Sequence, residues 1–147
     1  KETPNNLSPV YQQLKAAKCH AVKIATYAND VNDNLKLFKV MEEANADVVR
    51  MVAMCMGPRG EVSRVLYKAF GGWFTFASLA EGKESAPGQL SYSELAQLYR
   101  ANAVTKNTKI LIMNQCIWNK VILHFLFVYL VHNYVMLINL FLNFFVH

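Results

Sequence analysis

Apolar runs alternate with segments of helical periodicity from the start of the chain. Ser8-Pro9 is typical of a helix start, an N-cap followed by proline, and predicts a short helix to about Lys18. The β-branched run His20–Thr26 predicts a buried parallel strand. Residues 29–45 carry apolar side chains at helical spacing, which predicts a second helix.

The same alternation continues along the chain. Val48–Met56 predicts a second strand, and the helical spacing that follows it ends near Gly71. Trp73–Ala77 predicts a third strand. After a polar loop, Ser91–Glu94 has the sequence of a capping box and predicts a last helix through about Arg100.

This order of elements predicts an α/β fold, because strands joined by helices lie parallel with right-handed crossovers. Three parallel strands leave two unprotected edges and cannot close a barrel. Either further strands are supplied from outside this sequence, or the fold is a small open sheet.

The carboxyl-terminal part differs in kind from the rest. Residues 121–147 form a run of 27 residues without Asp, Glu, Lys or Arg, longer than the ~20 residues that cross a bilayer. A tail anchor is one interpretation. Translation of A/T-rich non-coding DNA is the other, and the heavy use of Phe, Leu, Ile, Asn and Tyr favours it. We therefore divide the chain into a folded part, 1–109, and an apolar tail, 110–147, helical or disordered.

Charge and cysteine content exclude several classes of function. The net charge is +5, but residues 1–109 carry both signs, which is typical of a solvated surface and excludes a nucleic-acid stripe. Three cysteines without a CxxC spacing suggest neither a disulfide framework nor a zinc site. We expect Cys19 and Cys55 to be buried, reduced thiols. The polar opening residues lack the apolar run of a signal peptide.

The first candidate for chemistry is Lys23, which lies inside the first apolar strand. Burial would favour its neutral, nucleophilic form, the usual route to a Schiff base. The alternative is a lysine that extends from the strand into water. Taken alone, this feature favours that alternative.

Two further candidates follow later strands. Arg64 lies in the helix after the second strand, where a guanidinium suits a carboxylate substrate, although a surface arginine is the simpler interpretation. Ser85 and Gln89 flank an Ala-Pro-Gly turn after the third strand. Loops at the carboxyl ends of strands bind ligands and form lids, so this loop is a candidate lid or an ordinary turn.

Four segments together carry a specific resemblance. They are VKIA at 22–25, MCMGPRGEVSR at 54–64, FGGWFTF at 70–76 and SAPGQ at 85–89. In this order and spacing the chain resembles type I 3-dehydroquinate dehydratase, a lyase of the shikimate pathway, from Thr3 to Leu98. The segments LYRA and TKNTKI make it most similar to the dehydratase half of the plant bifunctional 3-dehydroquinate dehydratase/shikimate dehydrogenase.

The resemblance implies a fold, a reaction and a location. The fold would be the carboxyl-terminal part of a (β/α)8 TIM barrel, with the three strands as its sixth, seventh and eighth. The reaction would convert the small-molecule substrate 3-dehydroquinate to 3-dehydroshikimate without a metal or organic cofactor. The location would be the plastid, as for the plant enzyme, or otherwise the cytoplasm.

The resemblance also implies residue roles. Lys23 matches the lysine that forms an imine with the substrate ketone, and Arg64 matches the arginine that holds the substrate carboxylate. In the family reaction the iminium acidifies the adjacent carbon, a histidine removes the proton and a hydroxyl leaves as water. Pocket-wall and lid positions of the family are matched by Met56, Phe76, Ser85 and Gln89.

The general base of the family is not matched. The base histidine precedes a Thr-Pro, which Thr3-Pro4 fits, so the sequence begins just past that position. His20 matches a different position, three residues before the lysine. We therefore expect a truncated dehydratase with little or no activity, whose partner is a missing barrel half or a homologous subunit.

Two other classes of protein stay open. A membrane-anchored, non-enzymatic interaction protein would use the apolar segment 121–147, and a membrane contact is expected only there. A regulatory or assembly fragment would bind a full-length dehydratase subunit through its open sheet edges.

Overall fold

A computed structural model describes residues 1–111 and 134–136 of the chain. Its helices and strands alternate over the first half of the chain, and shorter helical turns follow. The elements are α1 (Ser8–Ala16), β1 (Val22–Tyr27), α2 (Asp33–Ala46), β2 (Met51–Met56), α3 (Glu61–Leu66), 3₁₀ turns at Pro58–Gly60, Tyr67–Phe70 and Ala101–Ala103, a π-helical turn at Glu94–Leu98, β3 (Lys109–Leu111) and β4 (Tyr134–Met136).

The sheet is built on a parallel pair, β1 and β2, in a register that aligns Lys23 with Val52 and Tyr27 with Met56. Helix α2 connects the two strands. This is the β-α-β unit that the sequence predicts, and it confirms the α/β class. A second parallel pair joins β3 to β4.

Helices cover one face of the pair. The side chains of Val22, Ile24 and Thr26 are buried on that face and alternate with exposed Lys23 and Ala25. The same covered face includes Cys55, whose Sγ lies 3.2 Å from Thr26 Oγ1. The core forms where apolar positions of α1, α2 and α3 meet this face, and its fully buried members include Tyr11, Leu37, Met41, Cys55 and Val65.

The third predicted strand does not form a ladder. Residues 73–77 are extended, but one backbone bond, from Trp73 N to Met51 O at 2.8 Å, joins the segment to β2. A backbone donor on the outer edge of β2 is not available to a third strand, because the Cys55 N–H donates to the Ser63 hydroxyl at 2.9 Å. The prediction of a strand at Trp73–Ala77 is therefore wrong for this structure.

Other sequence predictions are corrected in detail. The second strand begins at Met51, since Val48 has a φ of 59° and belongs to the turn after α2. Ser8 is the first residue of α1 and does not cap it; its hydroxyl donates to Glu43 instead. Cys55 is buried as predicted, whereas Cys19 is exposed because it follows the end of α1.

The capping box at Ser91–Glu94 is confirmed. The Ser91 N–H donates to Glu94 Oε2 at 2.8 Å, and the Glu94 N–H donates to Ser91 Oγ at 3.2 Å. The element that it opens is a π-helical turn, because the Tyr99 N–H bonds to Glu94 O, five residues back.

The predicted apolar tail falls largely on residues 112–133 and 137–147, outside the described part of the chain. Among the described residues, no helix has both the length and the apolar character needed to cross a bilayer.

Candidate active site

Lys23 projects from the face of the sheet that the helices leave open. Its side chain is exposed, and its Nζ lies 4.6 Å from the centre of the Phe76 ring. Of the two interpretations of Lys23, the structure shows the lysine that extends into water, because the apolar neighbours Val22 and Ile24 point to the opposite face. Lys23 is therefore accessible to a ligand on the open face.

Arg64 is the most deeply buried charged side chain described, at 1% exposed. It lies on α3, and its Nη1 donates to Met54 Sδ at 3.5 Å. Met54 shares a face with Lys23, because register aligns it with Ala25. The Nη1 of Arg64 therefore contacts a buried side chain on the face of the sheet that carries Lys23.

The guanidinium of Arg64 is incompletely paired. Its Nε and Nη2 have no hydrogen-bond partner in the described part of the chain, and a thioether is a weak acceptor. Burial lowers the pKa of Arg64, and the carboxylate of Glu61 raises it in part. Since buried charges are normally paired, this guanidinium is suited to bind an anion.

One carboxyl group, that of Glu61, interacts with this arginine, and Glu94 lies near Glu61. Burial raises the pKa of Glu61 above its ordinary value, and the negative charge of Glu94 raises it further. The attraction of Arg64 opposes this rise, although Glu61 and Arg64 form no ion pair. The Glu61 carboxylate therefore does not complete the hydrogen bonding of the guanidinium.

The predicted lid residues lie on the loop that follows the extended segment. The backbone N–H and the hydroxyl of Ser85 both donate to Gln89 Oε1, at 2.7 and 3.0 Å. The loop is attached to the carboxyl end of β2, because Gly57 N–H donates to Pro87 O at 3.0 Å. The approach is close, since a Cβ on Gly88 would lie 2.2 Å from Gly57 O.

His20 lies at the amino end of β1, apart from the contacts of Lys23. Its Nε2 forms a hydrogen bond with Arg50 Nη1, and its ring meets that of Trp73 edge-on with centroids 5.9 Å apart. It is the one histidine in residues 1–111. The one histidine of this range therefore contacts Arg50 and Trp73 and is not placed beside Lys23.

The structure groups the predicted residues into pairs. Lys23 meets Phe76, and Ser85 meets Gln89. Arg64 contacts Met54, which was not predicted, and Met56, a predicted pocket-wall position, is half-buried at the end of β2. The sequence signal for Met54 was its spacing of two from Met56, which places both side chains on one face of a strand.

Ser63 was also missed. It is fully buried, accepts the Cys55 N–H and donates to Gly60 O at 2.6 Å. The signal was its place directly before the arginine in the Ser-Arg segment.

Comparison with known proteins gives the following relationships. The family model for Type I 3-dehydroquinase matches residues 1–106. The chain is 34% identical over 105 residues to the chloroplastic bifunctional 3-dehydroquinate dehydratase/shikimate dehydrogenase of Arabidopsis thaliana. It is 31% identical over 102 residues to a 3-dehydroquinate dehydratase of Dehalococcoides mccartyi.

Solved structures agree with these relatives. The 3-dehydroquinate dehydratase of Geobacillus kaustophilus is similar with a TM-score of 0.57 at 26% identity, over 65% of this chain and 37% of that one. The enzyme of Aquifex aeolicus has a TM-score of 0.54 at 26% identity, over 68% of this chain and 45% of that one.

The matches cover unequal shares of each protein. They span 71% of this chain and 17% of the Arabidopsis protein, and 68% of this chain and 45% of the Dehalococcoides protein. The chain thus spans less than half the length of the relatives that it matches.

Proposed function

We propose, since this chain belongs to the type I 3-dehydroquinase family, that its open face is the carboxyl-terminal part of a dehydratase site that acts on 3-dehydroquinate. The observation that carries the proposal is the buried, incompletely paired guanidinium of Arg64, whose Nη1 contacts Met54 on the face of the sheet that carries Lys23. A hydroxylated cyclic ketone with a carboxylate supplies both an anion for one group and a carbonyl for the other.

Lys23 is the nucleophile of the proposed reaction. Its neutral amine adds to the ketone carbonyl, and the resulting carbinolamine loses water to give an iminium ion. The iminium acidifies the adjacent carbon, so that loss of a proton and then of a hydroxide eliminates water. Hydrolysis of the product iminium returns the amine.

Arg64 orients the substrate through its carboxylate. The two free donors, Nε and Nη2, suit a planar carboxylate. Because Arg64 is 1% exposed, the ligand reaches it only after its cover moves. The loop that carries Ser85 and Gln89 is the proposed moving part, since one backbone bond from Gly57 attaches it to the strand end.

Borohydride trapping tests the proposal. The full chain is incubated with 3-dehydroquinate and borohydride, and the modified peptide is identified by mass spectrometry. We expect a reduced adduct on Lys23, none in Lys23→Arg, and a weaker adduct in Arg64→Met. Exposed Lys39 serves as the internal control for unselective modification. Equal labelling of both lysines would overturn the assignment of Lys23.

We further propose that this chain alone turns over slowly or not at all. His20 is bonded to Arg50, so the one histidine of residues 1–111 is not positioned as a base for Lys23. A positioned general base contributes roughly 10²–10⁴-fold to rate, and we expect at least that deficit against a complete relative. A normal rate of dehydroshikimate formation, followed by its ultraviolet absorbance, would contradict this.

A second role follows from the unfilled face. Lys23 and Phe76 are exposed, and residues 73–77 lack a paired strand in the described structure. We propose that a barrel half or a homologous subunit covers this surface. Co-expression with the amino-terminal half of the Dehalococcoides relative tests it: co-purification and a rise in dehydration rate are expected, and separate elution would count against it.

We also propose a cellular location from the similarity of the chain to the Arabidopsis relative. The Arabidopsis relative is chloroplastic, and we propose the plastid for this chain. Import of the full-length gene product into isolated chloroplasts checks it, with failure of import as the contrary result.

A further inference from the structure

Ser63 joins three parts of the fold at the base of Arg64. It is 0% exposed, accepts the Cys55 N–H at 2.9 Å and donates to Gly60 O at 2.6 Å. One hydroxyl therefore ties the end of β2 to the 3₁₀ turn that precedes α3. We propose that Ser63 is a positioning residue, which fixes Arg64 for the substrate carboxylate; the inference rests on the function proposed above.

The first step of the argument concerns the strand. The carbonyls of Arg50 and Met56 accept bonds from β1, so the alternation of a parallel ladder points the Cys55 N–H to the outer edge of β2. That donor would be unpaired there without the serine. Its bond to Ser63 fixes α3 relative to a strand that also carries Met54, the residue that contacts the arginine.

The second step concerns the helix. Ser63 and Arg64 are consecutive in α3, so their side chains leave the axis about 100° apart. With Ser63 held against the strand, Arg64 is directed past the edge towards the open face. Gly60 permits this closeness, because a Cβ at that position would lie 2.4 Å from Cys55 O.

The third step concerns selectivity. Ser63 is not expected to touch the ligand, and it contributes no bond to Lys23. Loss of its hydroxyl would therefore weaken recognition of the carboxylate and leave imine chemistry at Lys23 intact. A purely structural role would reduce both to the same extent.

A competition experiment separates these roles. The full chain is treated with borohydride and an equimolar mixture of 3-dehydroquinate and cyclohexanone, a ketone without a carboxylate. Mass spectrometry of the Lys23 peptide gives the ratio of the two adducts. We expect Ser63→Ala to lower the ratio by roughly tenfold, the scale of one buried hydrogen bond. Ser63→Thr, which keeps the hydroxyl, should restore it.

Controls make each outcome decisive. Ser93→Ala removes an exposed hydroxyl and should leave the ratio unchanged. The ratio is measured on folded protein isolated by gel filtration, because unfolded chain would be labelled at Lys23 without preference, and Ser63→Cys replaces the alanine variant if that variant does not fold. An unchanged ratio in Ser63→Ala, with a lowered ratio in Arg64→Met, overturns this inference alone. An unchanged ratio in Arg64→Met overturns the proposed carboxylate contact itself.

Discussion

Two donors of Arg64, Nε and Nη2, are buried without partners in the described part of the chain. An unsatisfied buried donor costs about 1–3 kcal/mol, and more when it is charged. The arrangement is therefore unfavourable for folding and favourable for holding an anion. This is the expected opposition between stability and function at a binding site.

We expect Arg64→Met to raise the free energy of unfolding by about 1–3 kcal/mol, because methionine fills a similar volume without a charge. Urea denaturation followed by circular dichroism measures it. Arg50→Met is the matched control, since Arg50 is exposed and lies over the Trp73 ring. A loss of stability in Arg64→Met would show that the guanidinium is satisfied.

The pKa of Glu61 predicts how the stability of the chain depends on pH. Burial raises its pKa above the ordinary 4.5, so the folded state favours the protonated acid. The stability that the protonated Glu61 contributes is complete below pH 4.5. It is lost as pH rises through the pKa that Glu61 has in the folded state. Glu61→Gln should therefore stabilise the chain at pH 7, with a gain that shrinks towards zero below pH 4.5.

Thermal unfolding at a series of pH values checks this difference. Asp33→Asn is the opposite control. Although burial raises the pKa of Asp33, hydrogen bonds from Lys36 and the backbone more than offset it and lower the pKa overall. That variant should lose stability at pH 7. A constant gain for Glu61→Gln at every pH would contradict the prediction.

At single residues, the roles given to the candidate site residues stay predictions, whereas their environment can be compared with the structure. Matching segments singled out Lys23 and Arg64. The pattern around Lys23 favoured the exposure that the structure shows, but nothing in the sequence indicated that Arg64 is the buried cation. Burial depends on which face the helices cover, and on strands that no local pattern describes.

Among the elements, the loop 79–89 depends on a single close contact with β2. Gly82 and Gly88 both have positive φ, of 75° and 71°. Open space surrounds a Cβ added at Gly82, whereas one at Gly88 would strike Gly57 O at 2.2 Å. Substitutions at these two glycines therefore distinguish the effect of backbone strain from the effect of detaching the loop from Gly57.

We expect Gly88→Ala to release the loop from β2 and Gly82→Ala to leave it attached. Lys83 lies within the loop, so the rate of tryptic cleavage after it reports the release. Cleavage should accelerate in Gly88→Ala beyond its rate in Gly82→Ala. Equal rates would show that strain alone governs the loop.

Elements with local signals were predicted well from the sequence. The proline at the start of α1, the apolar spacing of α2 and the capping box before the π-helical turn all have counterparts in the structure. The strand at 73–77 was predicted wrongly, because a strand needs a neighbouring strand to pair with. In β2 the Cys55 N–H donates to Ser63 instead of to such a neighbour. Pairing is a property of the sheet rather than of the segment.

For the whole molecule, the α/β prediction is confirmed and the relatives of similar structure are type I dehydroquinase barrels. The boundary at residue 109 stays a prediction. The described part of the chain has parallel strands covered by helices on one face only. A barrel would cover the other, so the sequence predicted the architecture without showing how much of it this chain forms.

The uncovered side makes a prediction about association. Residues 71–80 contain no charged residue and no proline, and Trp73, Phe74 and Phe76 are exposed. An extended segment of this kind adds readily to strands of other copies. We expect Phe74→Lys to reduce self-association in sedimentation velocity. Tyr92→Lys, an exposed aromatic elsewhere, should have no such effect, and equal behaviour would contradict the role of the segment.

Cys55 lies in β2 on the helix-covered face of the sheet, with Thr26 at 3.2 Å and Thr3 at 3.9 Å from its sulfur. Burial raises the pKa of its thiol, which leaves little thiolate for an alkylating reagent. Such a reagent reaches it only when the first strand and its covering helices separate. The alkylation rate of Cys55 therefore measures how often the core opens in the native protein. The alkylation rate of exposed Cys19 on the same chain is the control for the reactivity of the reagent.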